Sequence, residues 1–169
     1  MRKTVFILMA VFCALLQANY PPYFMIAGVK PDLLLLCAVM AALLFDLRFA
    51  VVMSITAGLL KDTLGADTGS VNTVLFVLWA SGVSWFSRKI SMSDPLFRMV
   101  VVAFVTFLHN LSSVLIYAYL GRETPVGLCA RIVVTQTLYT SVISLLVCHF
   151  IQDLLPVEKV RPDFETHPW

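Results

Sequence analysis

One apolar run, LFRMVVVAFVTFLHNLSSVLIYAYL at residues 96–120, limits what this chain can fold into. A helix needs about 17–25 mostly apolar residues to cross the hydrocarbon core of a bilayer, and this run has that length. It does not stand alone. Further apolar runs lie at 4–20, 33–45, 49–60, 70–87 and 128–155. Across the whole chain 13% of residues are charged and 60% hydrophobic, with a mean hydropathy of +0.90. Soluble domains carry about 25% charged and about 45–50% apolar residues. A single core built from 169 residues cannot hide this excess of apolar surface from water. The expected class is an all-α integral membrane protein. The lipid bilayer is then its solvent.

The runs divide the chain into a single transmembrane domain over residues 1–155 and a polar, disordered cytoplasmic tail over 156–169. The first span, 4–20, begins after Arg2 and Lys3. It has the look of a secretory leader, but no small-x-small site follows its core, so a retained span is expected. Pro21, Pro22 and Pro31 break any helix through 19–31, and Tyr20, Tyr23 and Phe24 suit a membrane interface.

Residues 31–62 form the hardest stretch. As one helix it would be too long and would bury Asp46 and Arg48 in mid-membrane, giving five spans in all. As two short helices joined at Asp46-Leu47-Arg48, each reaches a usable length. The second reading gives six spans, at about 4–20, 32–46, 48–62, 70–87, 96–120 and 128–155. Both termini then share one side with Arg48, Arg88, Lys89, Lys159 and Arg161, while Lys30, Lys61, Arg122 and Arg131 face the other. The excess of basic residues places the termini in the cytoplasm.

The net charge of +2, scattered over segment ends, offers no basic patch for nucleic acid. Cys13, Cys37, Cys129 and Cys148 form no CxxC pair, and free thiols are expected. No metal-ligand spacing joins His109, His149 and His167, and neither a phosphate loop nor GxSxG is present. The chain therefore reads as neither an enzyme nor a cofactor carrier.

Polar residues inside the spans follow helical spacing. Ser54, Gly58 and Asp62 recur every four residues and share one helix face. The small residues Ser54 and Gly58 allow close helix approach, within the chain or with a partner. Thr106, Asn110, Ser113 and Tyr117 form a stripe on the fifth span, with His109 beside it. Gln136, Thr140 and Ser144 form another on the sixth. The two stripes are expected to hydrogen-bond across the helix pair, or else to line a small-ligand cavity.

Residues 57–72, AGLLKDTLGADTGSVN, link the third and fourth spans. Gly65 and Gly69 permit a tight reversal, Lys61 is expected to snorkel to headgroups, and Asp67, Thr68 or Ser70 to cap the next helix.

At this point the chain resembles the rod shape-determining protein MreD family. The resemblance rests on Lys30-Pro31-Asp32-Leu33 and on Gly58-Leu59-Leu60-Lys61-Asp62, followed by Leu64-Gly65 and Gly69-Ser70-Val71-Asn72. It is best over residues 29–90, and length and span layout agree over nearly the whole chain. The resemblance implies a six-helix bundle similar to the substrate-binding subunits of energy-coupling-factor transporters. It implies a non-enzymatic inner-membrane scaffold of the bacterial elongation machinery, supporting peptidoglycan synthesis and rod shape. The implied partners are MreC, the polymerase RodA with its penicillin-binding transpeptidase, and MreB filaments. Ser54, Gly58, Asp62, Gly65, Gly69 and Asn72 would then be the partner-facing set, and Pro31 and Asp32 part of the family motif. The competing reading is a small-molecule-binding subunit of an energy-coupling-factor-type transporter.

Overall fold

The computed structural model describes residues 2–65, 70–88, 94–121 and 125–154. Among these the chain is all helical: α1 Arg2–Ala18, α2 Leu33–Leu44, α3 Leu47–Leu64, α4 Val71–Ser87, α5 Pro95–Tyr119 and α6 Val126–Leu154, with a 3-10 turn at Pro22–Phe24. Two of them, over Leu96–Tyr119 and Gly127–His149, are long and apolar enough to cross a membrane. Gly69 and the tail 156–169 lie outside the described residues.

The sequence of α2, LLLLCAVMAALL, is apolar around its whole circumference, and such a helix is stable only when surrounded. The fold supplies that: α2 is the central post, and every other helix touches it. All residues from Leu33 to Ala42 are buried. Phe6 of α1, Ala50 and Met53 of α3, Phe76 and Ala80 of α4, and Val102 and Val105 of α5 close over it. Outward, the helices present Leu8, Phe12, Val74, Leu78, Phe104, Leu138 and Leu146, each more than half exposed. An apolar coat of this extent marks contact with something other than water.

The chain breaks between α2 and α3 at Phe45 and Asp46, which are both extended. Phe45 packs edge-on against Phe6 and tilts over Phe49, at centroid distances of 5.1 and 4.8 Å. Lys3 then reaches from α1 to Asp46 at 2.9 Å. That ammonium holds the exposed Asp46 carboxyl below the usual carboxylate range.

The segment between α1 and α2 folds onto α6. Ile26 and Val29 pair around Ala27 and Gly28, with φ of 56° and 76°. A positive φ is unfavourable for alanine. Arg131 secures the turn by donating to the Ala27 carbonyl at 2.7 Å. Tyr139 adds a bond to the Phe24 carbonyl at 2.8 Å and meets the Tyr20 hydroxyl at 2.7 Å.

Candidate functional site

Helix lengths bring a set of polar groups into one layer. Measured from the end that carries Lys3 and Asp46, Gln17 is 15 residues along α1, Lys61 14 along α3 and His109 14 along α5. At 1.5 Å per residue each sits ~21–23 Å up the bundle. The 12 residues of α2 place Asp32, at its opposite end, ~18 Å up. Registers set independently by four helices thus converge.

Asp32 is fully buried and is the N-cap of α2, accepting from the Leu35 N–H at 3.1 Å. Its carboxylate also pairs with the Lys61 ammonium. Its own N–H donates to Thr140 Oγ1 of α6 at 3.0 Å. The next N–H, on Leu33, donates to Gln17 Oε1 of α1 at 3.1 Å. Lys61 stands 3.0 Å from His109 Nε2 and 5.2 Å above the Phe76 ring. Phe76 in turn meets the His109 ring edge-on at 5.1 Å. One ion pair therefore collects groups from all six helices. Of the N–H groups at the start of α2, that of Asp32 finds an acceptor on α6, that of Leu33 one on α1, and that of Leu35 the Asp32 side chain.

Lys61 does not snorkel outward as its place near the end of α3 predicted. A buried carboxylate costs several kcal/mol unless paired, so Asp32 draws the ammonium in. Asp32 and Lys61 lie 77 and 48 residues from His109, so residue order does not link the three. The usable signal was depth: three titratable groups sit at matching heights in their helices.

A second polar cluster clasps α3 to α4. Asp62 Oδ1 accepts from the Asn72 N–H at 3.1 Å and from Asn72 Nδ2 at 2.8 Å. Asp62 Oδ2 accepts from the Thr73 N–H at 3.0 Å and the Thr73 hydroxyl at 2.6 Å. Asp62 thus caps α4 from a neighbouring helix, and Ser70, the residue at the cap position, makes no side-chain cap bond. Asp67 and Thr68 lie outside the described residues. One turn below, a Cβ on Gly58 would stand 2.4 Å from the Thr73 Cα, so only glycine permits this approach. Ser54 is buried and donates to the Ala50 carbonyl at 2.7 Å. Gly58 and Asp62 on this face are therefore covered by α4 of the same chain. Gly65 closes α3, with its N–H donating to the Lys61 carbonyl at 2.9 Å.

The two polar stripes meet differently from the expected cross-bonding. Thr140 is taken by the Asp32 N–H, and Ser144 donates to the Ser141 carbonyl of its own helix at 2.7 Å. Thr106 Oγ1, Asn110 Nδ2 and Ser113 Oγ find no hydrogen-bond partner among the described residues. Gln136 and Tyr117 are half-buried at the margins. Pro31 is buried beside Asp32, just before the start of α2.

Chemically, the centre holds a carboxylate, an ammonium and an imidazole, and the carboxylate is occupied by protein donors. Among the described residues no group of three or more His, Cys, Asp or Glu gathers as a metal cage. The four cysteines are free thiols. Compared with family models, curated proteins and solved structures, the chain matches none.

Proposed function

We propose that this chain is a multi-pass inner-membrane protein with six spanning helices and cytoplasmic termini. It would act as a non-enzymatic scaffold of the bacterial cell-elongation complex. One observation carries the reading. The residues that give the resemblance to the MreD family are the ones that pin the helices together: Asp32 to Lys61, Asp62 to Asn72, and Gly58 against Thr73. They build a fixed bundle and are spent within it. A scaffold needs a rigid body with a set outer surface, and these pins provide one.

The apolar coat fits a lipid environment, and the two long helices α5 and α6 fit the thickness of a bilayer. The shorter α2 is tolerated because it is surrounded by protein. Since α4 covers Gly58 and Asp62, contact with the single span of MreC falls on the outward sides of the bundle. RodA, its transpeptidase and MreB filaments would join through that assembly.

The unpartnered polar groups of α5 favour one second reading, a small-molecule-binding subunit of an energy-coupling-factor-type transporter. Affinity purification of the tagged chain from its native membrane in mild detergent, with mass spectrometry of co-eluting proteins, separates the two. MreC recovered with RodA or the transpeptidase is the expected result. Paired ATPases with a transporter coupling subunit would overturn the scaffold reading.

A further inference from the structure

The polar groups of α5 that remain without partners share one helix face. Thr106 and His109 are fully enclosed, and Asn110 is nearly so. Among the described residues, Thr106 Oγ1, His109 Nδ1, Asn110 Nδ2 and Ser113 Oγ all lack a hydrogen-bond partner, as does Thr137 Oγ1 on α6. Spacings of three and four residues stack the α5 groups over two turns. The antiparallel hairpin brings Thr137 level with them. His109 lies 10 residues before Tyr119, and Thr137 11 after Val126. Each is thus ~15–17 Å from the hairpin turn.

Lys61 decides what these groups want. An ammonium has only donors, so His109 Nε2 must accept from it and the ring proton sits on Nδ1. Nδ1 is then a donor, and Asn110 Nδ2 supplies two more. The hydroxyls of Thr106, Ser113 and Thr137 rotate to serve either role. The fixed groups without partners are all N–H donors, and no fixed acceptor stands among them. Buried donors are nearly always matched. Charge narrows the choice, because Asp32 and Lys61 already cancel. The missing partner needs acceptor lone pairs, little bulk and no large charge.

We propose that the layer between α5 and α6, beside Lys61, is a binding site for a small hydrogen-bond acceptor the size of a water molecule or a halide. His109 Nδ1–H and the Asn110 amide donate to it, and the Thr106 and Thr137 hydroxyls complete its shell. The occupant joins the hairpin to the rest of the bundle. This inference is independent of the scaffold reading.

The experiment uses the full chain in detergent micelles, with thermal unfolding followed by tryptophan fluorescence. Thr106→Val and Thr137→Val keep side-chain shape and remove one hydroxyl each. A hydroxyl that holds an occupant is missed when it is gone, and each variant should melt about 2–4 °C lower. An unchanged or higher Tm in both would overturn the proposal, since deleting an orphaned buried hydroxyl relieves a cost. Asn110→Leu should lower Tm further. If it fails to fold, the isosteric threonine variants decide alone. Replacing gluconate with bromide at constant ionic strength distinguishes the sources. A bromide-dependent rise in Tm that Asn110→Leu abolishes identifies an anion. Lowered threonine variants without any bromide effect identify water.

Discussion

Removing Lys61 should be the most damaging single change of a charged residue in this protein. Asp32 is completely enclosed, whereas the Lys61 side chain is 21% exposed. In Lys61→Met the carboxylate keeps the Leu35 N–H but loses the cation that pairs with it among the described residues. Stripping one partner from a buried ion pair costs about 3–5 kcal/mol. The partial exposure of Lys61 puts the expectation at the low end, about 3 kcal/mol. For a chain of this size that lowers Tm by about 6–12 °C. The double variant Asp32→Asn/Lys61→Met removes both charges, and Asn Oδ1 can still cap α2. It should recover most of the loss, leaving a coupling of about 2 kcal/mol in the cycle. Thermal unfolding in micelles, read from Trp79 and Trp85 on α4, measures all four corners. The exposed pair of Lys3 and Asp46 is the control, and Lys3→Met should leave Tm where it was. Additive effects of the Asp32 and Lys61 changes, or a Lys61→Met cost no larger than the Lys3→Met cost, would refute the view that this pair organises the bundle.

The α3–α4 contact makes two further predictions. Gly58→Ala forces a Cβ to within 2.4 Å of the Thr73 backbone; the helices must part, at a cost of about 1–3 kcal/mol, and a wild-type Tm would contradict that close approach. Asp62→Leu strands the Asn72 and Thr73 N–H groups at the start of α4. It should cost about 2–3 kcal/mol and speed hydrogen exchange at the first turn of α4 ahead of the rest of the bundle. Unchanged exchange there would show that α4 is capped by other means.

Much of this architecture is legible in residue order because it depends on local pattern. Apolar runs ended by Pro, Gly or charge mark the helices, and the Asp46–Arg48 interruption marks the break between α2 and α3. The four-residue spacing of Ser54, Gly58 and Asp62 signals a face for close packing, and that signal is local too. What covers the face is not. Gly58 and Asp62 could have met a partner helix as well as α4, and only the fold brings Thr73 and Asn72 against them.

The polar centre shows the same division more sharply. Sequence alone determined that Asp32, Lys61 and His109 lie at ends or interiors of apolar helices, where an unpaired charge is too costly to keep. It could not say which pairs with which, and it sent Lys61 toward the surface. The tertiary structure settled the pairing through helix register. Equal rises along α3 and α5 bring Lys61 and His109 to one height, and α2 begins there with the Asp32 carboxylate. Coulomb attraction acts over a few ångströms of space and is indifferent to separation along the chain. The ion pair that gathers all six helices is therefore decided by three-dimensional proximity, while the helices that carry it are decided by the sequence.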